Sequence, residues 1–116
     1  MAQEPEAESQ RLIRHTVASV GDLALIEASN AQTYSPAHAE RYLDFLEAEI
    51  EKIAQNPERG ALVEQRPSIR FQMVRSTQRR SAHGYRVFYE EIEGGIEIKR
   101  ILHTAMDWAA QFGPEA

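Results

Sequence analysis

The sequence predicts an α+β fold: an N-terminal strand and a helical hairpin packed on a small, mainly antiparallel sheet, with a short C-terminal helix. Three observations predict it. Apolar residues recur at helical spacing between Ser35-Pro36 and Asn56-Pro57. Past Gly60 the period falls to two, over residues 68–75, 83–92 and 96–103. The helical patterns come first and the later strands follow one another, the order of an α+β rather than an alternating α/β chain.

Each element has a local reason. RLIRHTVA, residues 11–18, reads as a strand of imperfect alternation. Ser19 lies three residues before Asp22, a spacing like the capping box, and opens a helix over about 20–31 that buries Leu23, Ile26 and Leu25. Ser35-Pro36 starts the second helix, because serine accepts from free N–H groups and proline suits a first turn. Its stripe is Ala39, Tyr42, Leu43, Leu46, Ile50, Ile53 and Ala54, and Asn56-Pro57 ends it. In 68–75, Ile69, Phe71 and Met73 share a face opposite Arg70, Gln72 and Val74. Residues 76–81, STQRRS, read as a polar loop.

Gly94-Gly95 joins the last two strands as a two-residue hairpin turn. That turn sets Tyr89 opposite Arg100, Val87 opposite Leu102 and Arg86 opposite His103. Tyr85, Val87, Tyr89, Ile98 and Leu102 then face the helices. Arg86, Phe88, Glu90, Lys99, Ile101 and His103 lie on the other, open face. Thr104 and Asp107 repeat the cap spacing before a final helix carrying Trp108 and Phe112.

Composition narrows the function. The 116 residues make one domain, expected over 11–113 behind a disordered acidic leader, MAQEPEAESQ, at 1–10. Cysteine is absent, which excludes disulfides, thiolate chemistry and cysteine zinc sites. No apolar run approaches the roughly 20 residues of a membrane span, and no signal-peptide pattern opens the chain, so the cytoplasm is the expected compartment. The net charge of −5 is uneven: residues 1–64 carry 5 basic against 12 acidic side chains, residues 65–116 carry 8 against 6. Six arginines and no acid lie from Arg66 to Arg86, a stripe that suits an anionic partner within a Debye length of about 8 Å. A dedicated nucleic-acid binder is usually basic overall, so direct nucleic-acid binding is not expected.

Known chemical motifs do not form. His15, His38, His83 and His103 have no spacing that gathers metal ligands, and no cofactor motif appears. Gly94-Gly95 precedes no helix N-terminus and so is no phosphate loop. Glu47, Glu49 and Glu51 read as a solvated helix face.

The order of elements, with AERYLDFLEAEIEKIAQNPERG, Arg70, HGYRVFYE and IEIKRILHTAMD in it, resembles the ParE/RelE superfamily of type II toxin–antitoxin (plasmid stabilisation) toxins over roughly residues 11–113. Ser29 departs from it, because many relatives carry an aromatic residue there. The acidic chain and the scarcity of helix lysines, with Lys52 alone, favour the ParE-like branch. That resemblance implies a non-enzymatic inhibitor of DNA gyrase, without a cofactor, neutralised by a cognate antitoxin. It implies antitoxin contacts at Arg70, Arg75, Arg79, Arg80, Phe88 and Ile101, and target contacts at His103, Met106, Asp107 and Trp108. The alternative is a RelE-like ribosome-dependent mRNA endonuclease. There Arg70, Arg86 and His103 would stabilise the phosphate and move a proton, beside His83 and Tyr85. A third reading is a non-toxic relic that only binds its antitoxin.

Overall fold

The computed structural model describes residues 11–75 and 84–112. The expected leader 1–10 and the loop 76–81 lie outside the described residues, as do Arg79, Arg80 and His83. The chain runs β1 (Leu12–His15), α1 (Val17–Thr33), α2 (Pro36–Gln55), a 3-10 turn (Pro57–Arg59), β2 (Ala61–Val63), β3 (Arg66–Val74), β4 (Tyr85–Ile92), β5 (Gly95–His103) and α3 (Trp108–Phe112). The five strands form one sheet in the order β1-β5-β4-β3-β2. All pairs are antiparallel except β1 with β5, where Leu12 meets Gly95 and His15 meets Ile98 in parallel.

The second helix forms as its sequence dictates. Ser35 Oγ accepts from His38 N, Pro36 occupies the first turn, and Ala39, Leu46, Ile50, Ile53 and Ala54 are buried. Burial of each large side chain contributes about 1.5–3 kcal/mol relative to exposure. With Ile26 of α1, Leu46, Ile50, Ile53 and Ala54 cover Val87, Tyr89, Ile96, Ile98 and Ile101 on one sheet face. A smaller core on the opposite face joins Val63, Ile69, Phe88 and Leu102, roofed by Phe71 and Trp108.

The first helix begins earlier than the sequence suggested. Thr16, not Ser19, is its cap: Thr16 Oγ1 accepts from Ser19 N and donates to Lys99 O, fixing the helix start to β5. Ser19 is buried inside the helix. Leu25, expected in the core, is 71% exposed, because Ile26 and Leu23 take the sheet-facing positions. The strand β2 was not foreseen, since three residues carry no readable period.

The hairpin register also differs. Glu93 and Gly94 form the turn, Gly94 at φ 84°, and Gly95 already pairs with Ile92. A bulge between Phe88 and Tyr89 then inserts one extra residue in β5, so Tyr89 meets Ile98 while Phe88 meets Arg100. One extra residue reverses the alternation beyond it. Ile101 and His103 therefore turn toward the helices, and Leu102 turns away to join Phe88. The expected open face is thus a second core: Phe88 is 0% exposed beneath Trp108, and Ile101 is 2% exposed on the helix side.

At the far end of the sheet Tyr89 anchors the turn after α2. Its hydroxyl donates to Pro57 O at 2.6 Å and accepts from Gln72 Nε2 at 3.0 Å. Tyr89→Phe removes both bonds and strands a buried carbonyl, at an expected cost of about 1–2 kcal/mol. Urea denaturation checks this, and an unchanged midpoint would exclude the anchoring role.

Candidate functional site

The C-terminal turn is tethered to the start of β4 by backbone and short side chains. Thr104 N donates to Gly84 O at 2.9 Å, and Gly84 N donates to Thr104 Oγ1 at 3.1 Å. Gly84 is required there, because a Cβ would lie 2.3 Å from Val74 O. Arg86 Nη1 donates to Thr104 O at 3.1 Å, with its guanidinium 5.8 Å from the Phe71 ring centroid. Met106 N donates to His103 O, and Trp108 packs 5.4 Å from Phe88 and 6.0 Å from Phe71 between ring centroids. This frame presents Met106, 43% exposed, and the exposed Asp107 on a fixed turn.

Of the described residues expected for RNA cleavage, His103 and Tyr85 lie together, while Arg70 and Arg86 stand on opposite faces of the sheet. Arg70 lies on the helix side of β3, where Nη1 donates to Gly60 O at 2.9 Å and Glu58 O at 3.3 Å. Arg86 lies on the opposite face and donates to the Thr104 carbonyl. His103 Nδ1 accepts from Ala105 N at 3.1 Å, which places the proton of the neutral ring on Nε2. Its ring stands edge-on to Tyr85, 5.4 Å away, on the helix side rather than the open face.

Tyr85 in turn lies 6.0 Å from Tyr42 of α2. Burial, with a smaller contribution from Tyr85, pushes the Tyr42 hydroxyl up to about 12. A folded-state pKa raised above the ordinary tyrosine value of about 10 gives stability that is complete below pH 10 and is lost as pH rises toward 12. Stability should therefore fall with pH across that window, and Tyr42→Phe should flatten the fall. Denaturant melts at stepped pH check it, and a slope unaltered by the substitution would refute it.

The expected basic stripe is largely occupied by structural work in its described part. Arg70 and Arg86 hold carbonyls, and Arg75, which is exposed, reaches Met73 Sδ. Neighbouring cations are also matched: Lys99 pairs with Glu97 at 2.7 Å and Glu90 at 3.2 Å. The Glu97 carboxyl is held below its usual range, chiefly by its hydrogen bond from Lys99.

Two features escaped the sequence reading. Asp22, 7% exposed, accepts from Arg100 Nε and Nη2 at 2.8 and 2.9 Å and from Ile101 N at 2.8 Å. The only sequence signal was an acid at an inward position beside Leu23 and Ile26. Second, a cleft of about 350 Å³ opens between β1 and α2, floored by Ile13, Leu23, Leu43 and Ile50, with His15, Glu47 and Glu51 in its lining.

A helical hairpin on a five-stranded, mostly antiparallel sheet, with a tethered C-terminal turn and an apolar side cleft, defines a small α+β protein. Its family is given by comparison: the model for the ParE toxin of the type II toxin–antitoxin system, parDE, matches residues 13–108. The chain belongs to the ParE toxin family. A solved chain from the chromosomal ParDE TA system of P. aeruginosa has the same fold, with a TM-score of 0.61 and 18% identity over 81% of this chain and 96% of that one. No curated protein sequence matches. Among the described residues, no helix is long and apolar enough to cross a membrane.

Proposed function

We propose that this ParE-family toxin arrests growth by binding DNA gyrase in the cytoplasm and is neutralised by a cognate antitoxin, with no cofactor and no bond-breaking step of its own. The observation that carries the reading is the exposed Met106-Asp107 turn, held by Thr104, Arg86 and Trp108. A preorganised exposed turn loses little freedom on docking, which favours affinity. The separation of Arg70 from Arg86 across the sheet supports binding over RNA cleavage, because general acid–base work needs its groups around one phosphate. Exposed Arg75, with Arg79 and Arg80 nearby in sequence, is the proposed contact for an acidic antitoxin segment.

Induced expression in a bacterial host carrying a DNA-damage reporter, with translation rate read in parallel, tests the proposal. The expected result is a damage response while translation is initially intact. Met106→Ala with Asp107→Ala should weaken the response at least about tenfold, since contacts at a docking centre are worth more than about 1 kcal/mol each, while the fold stays intact. Immediate translation arrest without damage, abolished by His103→Ala or Arg86→Ala, would overturn it in favour of RNA cleavage.

A further inference from the structure

The cleft beside β1 has a chemistry opposite to that of the arginine stripe. Its floor is apolar, and its rim carries the exposed Glu47 and Glu51, one helical turn apart on α2. The third polar group is His15, whose protonation pattern follows from its neighbours. Ser19 Oγ donates its single proton to Thr16 O at 3.0 Å, because a carbonyl can only accept. The 3.0 Å contact between His15 Nδ1 and Ser19 Oγ therefore has the imidazole as donor. In the neutral ring this leaves Nε2 as an acceptor. Burial holds the imidazole below its ordinary value, opposed by Glu47, which favours the neutral ring.

The cleft thus offers two carboxylates and one imidazole acceptor above an apolar floor, with no cation in its lining. Among the described residues no group of three histidine or acidic side chains gathers for a metal ion, so the complementary charge comes on an organic donor. Phosphate-bearing ligands and acidic segments are repelled by the same rim. We propose that this cleft docks a partner-protein segment carrying a lysine or arginine among apolar side chains, with the cation met by the Glu47 and Glu51 carboxylates of the rim. The proposal rests on the reading of the chain as a protein-binding toxin, whose own test is cellular and separate.

The free position of β1 at the sheet edge supports a protein occupant. Among the described residues β1 is the edge strand and pairs only with β5, beside the cleft. An apolar anchor fills the floor while the cation selects among partners, the division of labour expected when charge sets specificity and burial sets affinity.

The test uses the whole chain and two matched amphipathic peptides, identical except for lysine or glutamate beside their leucines. Methyl and imidazole NMR shifts report where each binds. The lysine peptide should shift Ile13, Leu23, Leu43, Ile50 and His15, and bind on the order of tenfold more tightly than the glutamate peptide, the effect of two partly exposed ion pairs. Glu47→Lys with Glu51→Lys, at exposed positions that leave the core untouched, should reverse the preference. Equal affinities, shifts away from the cleft, absence of binding, or a preference that survives the reversal would each overturn the proposal. The gyrase reading would stand or fall independently on the reporter experiment.

Discussion

Asp22→Ala is expected to lower the stability of the protein by roughly 3–5 kcal/mol, the cost of breaking a buried pair by removing one partner. For a chain of this size that corresponds to a melting temperature lower by roughly 12–20 °C. The carboxylate does three things at once. It takes both Arg100 donors, and it accepts the N–H of Ile101, where β5 has run past the end of β1 and lost its strand neighbour. It is thus a side-chain substitute for a sheet partner. Without it, Arg100 is left with only Gln111 at 3.4 Å, and a buried backbone donor goes unmet. Adding Arg100→Met should recover part of the loss by removing the uncompensated charge, and the remainder reports the Ile101 N–H. Thermal melts of the two single variants and the double variant decide it. A melting temperature for Asp22→Ala close to the parent's would sink the account.

Gly95→Ala should release the edge strand. A Cβ at this position would lie 1.8 Å from Leu12 O and 2.6 Å from Leu12 C, and no rotamer change relieves a clash with backbone. The expected loss is about 2–3 kcal/mol, the upper range of overpacking, accompanied by faster hydrogen exchange at Thr16 N, which donates to Ile98 O. Gly94→Ala is the control. Its position has open space around the missing Cβ but a φ of 84°, so it should cost only about 1 kcal/mol and leave Thr16 protected. Equal effects of the two substitutions would mean that turn conformation, not the approach of β1, explains Gly95.

These two residues also show where sequence reasoning ended. The second helix was legible because its signals are local: a serine cap, a first-turn proline and an unbroken 3.6-residue stripe. The three long strands were legible from alternation alone. Their facing was not: the turn displaced to Glu93-Gly94 shifts the register by two residues and keeps the faces, but the one bulged residue reverses the parity of β5 beyond it. That reversal moves Ile101 and His103 to the helix side, whereas Phe88 keeps its expected face and is buried because Trp108 and a second core cover it. The Asp22 side chain read as a helix cap because its partners, Arg100 and Ile101, are 78 and 79 residues away. Of the candidate site, the exposed Met106-Asp107 turn could be located from the strand's end. The Thr104 tether could not, since it depends on Gly84 meeting it across the sheet.

The parallel pairing of β1 with β5 has a consequence for how the chain is made. Leu12 emerges from the ribosome early, and its partner Gly95 emerges 83 residues later. Until then β1 has no neighbour, α1 has no β5 edge to lie against, and the acceptor of the Thr16 hydroxyl has not been synthesised. A chain interrupted before β5 therefore lacks the strand that joins β1 to the rest of its sheet, as well as the C-terminal turn. Long-range closure of this kind is slow relative to local helix formation. Residues 12–94 are thus all made before β1 can take its place in the sheet, so the order of synthesis leaves the pairing of the first strand among the last contacts to form.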